Sequence, residues 1–203
     1  MLSPTSCRHG NLQKHLNPNP LQRYLLRRFH HRIVELVRQV QPSSLLDAGC
    51  GQGFTLRALE QAGLSAATMG ADLDGESLAW GRAHNLSRAP LVAADVLRLP
   101  FADCSFDLVL CLEVLEHLAE PGRGLTELLR LTRRHVLVSV PHEPWFRLAN
   151  LLRGKHVAAL GNDPEHVQQF SWAALRRLAA AQADVLWHGT SFPWQMALLA
   201  RRS

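Results

Sequence analysis

The run Leu45-Leu46-Asp47-Ala48-Gly49-Cys50-Gly51-Gln52-Gly53 sets three alternating glycines behind an acid. Glycine at such a turn lets the backbone bend sharply and approach a ligand closely. The dinucleotide-binding fingerprint spaces its glycines GxGxxG, whereas this loop reads GxGxG. An acid directly behind the loop would repel a pyrophosphate and attract an ammonium or sulfonium group. Three more acids follow at comparable places: Asp72 in Gly70-Ala71-Asp72-Leu73-Asp74, Asp95 in Ala94-Asp95-Val96, and Glu113 in Cys111-Leu112-Glu113. A carboxylate at Asp72 can accept from both hydroxyls of a ribose. One at Asp95 can accept from an aromatic amino group. Asp74 suits a helix N-cap better than Asp72 does, and Asp107, at the start of an apolar run, reads as structural.

Two histidines stand apart from these motifs. His142 lies in Pro141-His142-Glu143-Pro144, and His166 in Asp163-Pro164-Glu165-His166. Imidazole titrates near neutrality, so each is a candidate general base or substrate contact. Each has a plain structural reading as well, His142 as a turn residue and His166 as a cap beside a helix. His142, His156 and His166 lack compact ligand spacing and a nearby cysteine, so no metal site is expected. Residues 145–160 mix Trp145, Phe146, Leu148, Leu151 and Leu152 with Arg147, Arg153 and Lys155. That mixture suits a lid over an acceptor with a hydrophobic body and an anionic part, weak contact with a membrane surface, or a helix packed on a sheet.

Positioning these groups requires regular elements. Residues 1–20, with Pro4, Gly10, Pro18 and Pro20, read as an irregular arm. From Leu21 to Val40 apolar residues recur every three or four positions, predicting an amphipathic helix that Pro42 stops. The pattern then alternates. Strands are expected at Ser44–Ala48, Ala67–Asp72, Leu91–Ala94, Phe106–Leu112 and His135–Val140. Helices are expected at Phe54–Ala62, Gly75–Asn85 and Gly124–Leu131. Apolar strands separated by helices imply an α/β, doubly wound parallel sheet with its crevice at the strands' C-terminal ends. An amphipathic stretch at Trp145–Leu152 and a helix at Trp172–Gln182, capped by Ser171, interrupt the rhythm. The link at Phe192-Pro193 is too short for a crossover, so Asp184–Gly189 and Gln195–Ala200 form an antiparallel hairpin.

The chain has 203 residues, 47% hydrophobic and 19% charged. That fits one packed domain and excludes a disordered or collagen-like chain. No apolar run approaches the ~20 residues of a membrane helix and no signal peptide opens the chain, so a cytoplasmic location is expected. Cys7, Cys50, Cys104 and Cys111 form no CxxC pair, and read as incidental thiols. Net charge is +5, but residues 72–127 hold ten acids and four arginines between basic flanks. An acidic middle suits a cationic ligand. The basic groups form no single stripe, so no specific nucleic-acid partner is expected.

Taken together, LLDAGCGQG, GADLD, AADVLRLPFADCSFDLVLCLEVLEHL and RHVLVSVP resemble the class I S-adenosylmethionine-dependent methyltransferases, with the small-molecule branch of the ubiquinone and menaquinone type nearest. The resemblance implies a Rossmann-like seven-stranded sheet, mostly parallel with an antiparallel last strand. It also implies that Asp47, Gly49 and Gly51, with Cys50 between them, hold the methionine end of S-adenosylmethionine. Asp72 would take the ribose and Leu73 pack on adenine. Asp95 and Val96 would bind the adenine edge, and Leu112 and Glu113 would lie beside the methionine amine or sulfonium. His117 matches a histidine common after the fourth strand. A small-molecule acceptor follows from the branch. The residues alone leave open a nicotinamide-dependent oxidoreductase and a non-catalytic cofactor-binding protein. An RNA or protein methyltransferase is disfavoured, since no Asn-Pro-Pro-Tyr or Asp-Pro-Pro-Tyr motif and no appended RNA-binding domain are found.

Overall fold

The computed structural model describes residues 7–143 and 167–202. The first difference from the expectation lies at the start. In place of an irregular arm, Cys7–Leu16 forms helix α1. A helix this short is marginal in water and owes its stability to what it packs on. Its partners are described with the site below. Helix α2 (Pro20–Val40) begins where the Asn19 side chain accepts from the backbone N–H groups of Leu21 and Gln22, with Pro20 at the first turn. It ends one residue earlier than Pro42 alone would require. Gln41 turns left-handed at φ 50° and its N–H donates to the Val37 carbonyl. The stripe Leu26, Phe29, Ile33, Leu36 and Val37 is buried, as the sequence period requires.

Strands β1 (Ser44–Ala48), β2 (Ala67–Asp72), β3 (Leu91–Ala93), β4 (Phe106–Leu112), β5 (Thr132–Pro141), β6 (Asp184–Ser191) and β7 (Trp194–Ala200) join in one sheet of order β3-β2-β1-β4-β5-β7-β6. Pairs among β1 to β5 are parallel. Strand β7 runs antiparallel to both β5 and β6. The seven-stranded, mostly parallel sheet is thus present, its reversal made by the short Phe192-Pro193 link. Helices α3 (Phe54–Gln61), α4 (Gly75–Ala83), α5 (Pro121–Leu131) and α6 (Trp172–Gln182) connect the strands.

Side-chain alternation along β4 divides the core. Leu108, Leu110 and Leu112 face Ile33, Leu36, Leu56, Leu59 and Leu78 of α2, α3 and α4. Val109 and Cys111 face Leu125 and Leu128 of α5 and Leu175 of α6. Both faces are therefore covered, which is why the strands read as unbroken apolar runs. Order reverses between β1 and β4, the point at which open α/β sheets place their ligand crevice, over the C-terminal strand ends.

Two contacts tie elements together at opposite ends of the strands. Asp107 accepts from the N–H groups of Ser43 and Ser44 and pairs with Arg133 at 3.1 Å, the structural role expected of it. Helix α4 presses Gly81 against the glycine loop so closely that a Cβ there would lie 2.2 Å from the Gln52 carbonyl oxygen. The amphipathic stretch Trp145–Leu152 and the rest of residues 145–160, read above as a lid, lie outside the described residues. No described helix is long and apolar enough to cross a membrane.

Candidate functional site

Asp47, Gly49, Cys50 and Gly51 follow from the C-terminal end of β1. Gly49 has φ 88° and Gly51 φ 53°, a region that favours glycine. A Cβ at Gly49 would meet the Val114 Cγ2 atom at 2.2 Å. The N–H groups of Gly49 and Cys50 both donate to the Ala71 carbonyl, at 2.7 and 3.0 Å, which ties the loop to the end of β2. There Asp72 makes the second tie. Its Oδ2 accepts from the Gly51 N–H at 2.7 Å and its Oδ1 from the Asp74 N–H at 2.8 Å. Asp74 caps α4, accepting from Glu76 N–H, and takes the Ser77 hydroxyl at 2.8 Å. Ser77 in turn accepts from Gln52 at 2.7 Å. The first two strand ends are one hydrogen-bonded unit.

The unit is acidic and dry. Asp47 is 1% exposed, and its Oδ1 has no hydrogen-bond partner among the described residues. Burial first, and the nearby Asp72 second, push its carboxyl up to about 7. Burial also raises Asp72, against the N–H bonds that lower it. Glu113 follows β4 at φ 61° with its N–H donating to the Ser139 carbonyl, a left-handed conformation held by its surroundings. Burial raises its carboxyl too, while Lys14 pulls it down. The Cys50 thiol is buried and pushed far above its ordinary range. It can serve a ligand only through its backbone, since its side chain packs between the sheet and α3.

Helix α1 forms a wall of the site that the sequence reading missed. Asn11 donates to the Gln52 side chain at 2.9 Å and sits so close to Gly51 that a Cβ there would meet its amide at 2.7 Å. Lys14 stands 3.7 Å from the Glu113 carboxylate and 5.4 Å over the Trp194 ring. His15 stacks on Phe54 at 4.0 Å and lies 5.5 Å from His30. Burial pushes these two histidines down to about 3 and about 4, so both rings are neutral near pH 7. One signal was available. Positions 11, 14 and 15 share one helical face, but the neighbouring prolines and asparagines, which in fact start α2, masked it.

The remaining expected residues are spread along the crevice. Leu73 follows β2 and is 74% exposed. Asp95 is exposed after β3, its Oδ1 accepting from the Leu97 N–H at 2.9 Å. Val96 and Leu112 are buried in the two apolar clusters. His117 closes a single 3₁₀ turn, Leu115–His117. His142 follows β5, its N–H donating to the Pro193 carbonyl at 2.9 Å. Its ring leans on Trp172, 5.8 Å away, and Trp172 stacks on His188. Its ring therefore stands on the α6 side of the sheet, and burial lowers its titration. His166 lies outside the described residues.

Residues 46–140 match the family described as "Methyltransferase domain". The chain is 36% identical over 102 residues to an uncharacterized methyltransferase of Mycobacterium tuberculosis (strain ATCC 25177 / H37Ra), and 36% over 103 to one of Mycobacterium marinum (strain ATCC BAA-535 / M). Each match takes in 50% of this chain and 40% of the relative, so the chain spans less than half of the curated proteins it matches. Among solved structures, magnesium protoporphyrin IX methyltransferase from Synechocystis PCC 6803 with bound S-adenosylhomocysteine superposes with a TM-score of 0.72 at 19% identity, covering 94% of this chain and 92% of the other. The plantazolicin methyltransferase BpumL, in complex with a monoazolic desmethylPZN analogue and S-adenosylhomocysteine, gives 0.72 at 17%, covering 95% of this chain and 89% of the other. The glycine loop, the acids at successive strand ends and the sheet order agree with the family match over residues 46–140, and the described chain has the fold of these solved methyltransferases.

Proposed function

We propose that this chain transfers a methyl group from S-adenosylmethionine to a small, partly hydrophobic acceptor. One observation supports the cofactor above all: the buried, unpartnered Oδ1 of Asp47 behind a glycine loop, with Asp72 beside it. A cation satisfies that pair where a pyrophosphate would not, and a nicotinamide cofactor is disfavoured on the same ground. The residues present fit the group. Asp47, Gly49, Gly51 and Glu113 would hold its methionine end, Asp72 its ribose, and Leu73, Asp95 and the backbone at Val96 its adenine. The apolar and basic composition of residues 145–160 supports the acceptor class, as do structural neighbours named for protoporphyrin and plantazolicin.

When bound, S-adenosylmethionine supplies an electrophilic methyl group on a positively charged sulfur. The task of the chain is to orient and to exclude water. Asp47 and Glu113 bias the crevice toward positive charge, and α1 covers it with Asn11 and Lys14. His142, whose titration burial lowers, is the described candidate for taking a proton from an oxygen or nitrogen acceptor.

Calorimetry tests the cofactor. S-adenosylhomocysteine should bind and NAD should not. Asp72→Ala should weaken binding by ~1.5–3 kcal/mol, because charge-assisted hydrogen bonds are lost. Tight NAD binding with no response to S-adenosylhomocysteine would refute the proposal. The acceptor is sought by incubation with methyl-labelled S-adenosylmethionine and a cell extract. On that acceptor, His142→Ala should leave cofactor affinity nearly intact while turnover falls by ~10²–10⁴ and the acidic limb of the pH profile disappears. Full turnover with an unchanged profile would remove His142 from the chemistry.

A further inference from the structure

Along α2 a groove of about 500 Å³ is lined by Tyr24, Arg27, Arg28, His31, Arg32 and Glu35, together with Thr190 and Ser191 of β6. Three arginines face one glutamate there, so these four side chains carry a net charge of +2. Glu35 is already engaged, 3.0 Å from Arg32 and 3.5 Å from His31. Arg27 and Arg28 have no acidic partner among the described residues. Arg28 lies 5.8 Å over the Tyr24 ring and Arg32 5.6 Å over Trp187. Such stacking steadies a guanidinium while leaving its in-plane N–H groups free to donate.

From this we propose that the groove is a second binding site, for a phosphate group carried on an apolar body. Guanidiniums from one wall and hydroxyls from the other approach from several directions, which suits a tetrahedral anion better than a planar carboxylate. Apolar residues adjoin the charged ones. Tyr24 lines the groove, Leu21 stands one turn before it on α2, and Phe192 follows Ser191; all three are exposed. A phosphate ester can lay its carbon chain on that rim. The same chemistry is offered by a soluble phosphate ester and by a lipid headgroup. The site stands independently of the methyl-transfer proposal, since it shares none of the residues assigned to the cofactor.

The test compares the native chain with the double variant Arg27→Ser, Arg28→Ser. Both residues are exposed, so the variant should fold; an unchanged melting temperature is the control. Inorganic diphosphate is titrated by calorimetry, and sedimentation measures binding to phosphatidylcholine vesicles with and without phosphatidic acid. Binding to at least one phosphate probe is expected, weakened roughly 10–100-fold in the variant. Loss on diphosphate with no vesicle binding assigns the site to a soluble ester, and loss on phosphatidic acid vesicles alone assigns it to a lipid headgroup. Failure of both probes to bind, or equal binding by the folded variant, overturns the proposal.

Discussion

Replacing Asp47 by Asn should make the ligand-free protein more stable at neutral pH and strip it of tight cofactor binding. The carboxyl is buried with one oxygen unpartnered and titrates at about 7, against an ordinary value of 3.8. Between those values the folded chain holds a proton that the unfolded chain has released. Stability from this group is therefore fully present below about pH 4 and is lost as pH rises through about 7. At ~1.4 kcal/mol per pKa unit the loss is at most about 4 kcal/mol. Asn cannot ionise and escapes that loss. Melting curves from acid to mildly alkaline pH should show the wild type falling relative to the variant, with the gap widest above neutrality. Cofactor binding should move the other way. The carboxylate is the charge a cationic ligand would answer, and its removal should weaken S-adenosylmethionine by roughly 10–100-fold. A variant less stable than the wild type above pH 7 that still bound the cofactor normally would make Asp47 a structural acceptor only.

Gly81→Ala should destabilise the protein although it lies within a helix. Propensity favours alanine by about 1 kcal/mol in a helix interior. The tertiary contact opposes it, because the new Cβ would stand 2.2 Å from the Gln52 carbonyl oxygen and 3.0 Å from its carbon. Backbone cannot step aside as a side-chain tip can, so α4 must shift. The shift strains the bonds from Gln52 to Ser77 and from Ser77 to Asp74 that join α4 to the glycine loop. We expect a loss of ~1–3 kcal/mol in urea unfolding, with weaker S-adenosylhomocysteine binding even though Gly81 belongs to no proposed cofactor contact. Gly75→Ala, in the first turn of the same helix with nothing near its would-be Cβ, is the control and should be neutral or stabilising. If both substitutions stabilise alike, the helix and the loop are not coupled as described.

Period and punctuation were legible in the residues. Ser44–Ala48, Phe106–Leu112 and Trp172–Gln182 begin and end where their apolar patterns and the Ser171 cap say they should. The acids could be placed at strand ends because a short apolar strand ending in Asp or Glu has few other readings. The short link at Phe192-Pro193 required the antiparallel turn that reverses β7. These features are local, and local sterics and side-chain alternation decide them.

Helix α1 was not legible. Its ten residues are mostly polar, hold Gly10, and neighbour prolines that belong to the next helix's start. It is stabilised by Gln52, Phe54, Glu113 and Trp194, which lie far along the chain. The 2.2 Å approach of Gly81 to Gln52 was equally hidden, since nothing within α4 records the loop pressed against it. Sequence alone determined the order of elements, the sheet's mixed sense and the acids at its strand ends, because each follows from spacing within one segment. Only the tertiary structure decided that α1 covers the glycine loop, that Asp47 is dry enough to hold its proton to about pH 7, and that α2 lines a cationic groove. Each of those depends on which distant surfaces meet and on the water they exclude.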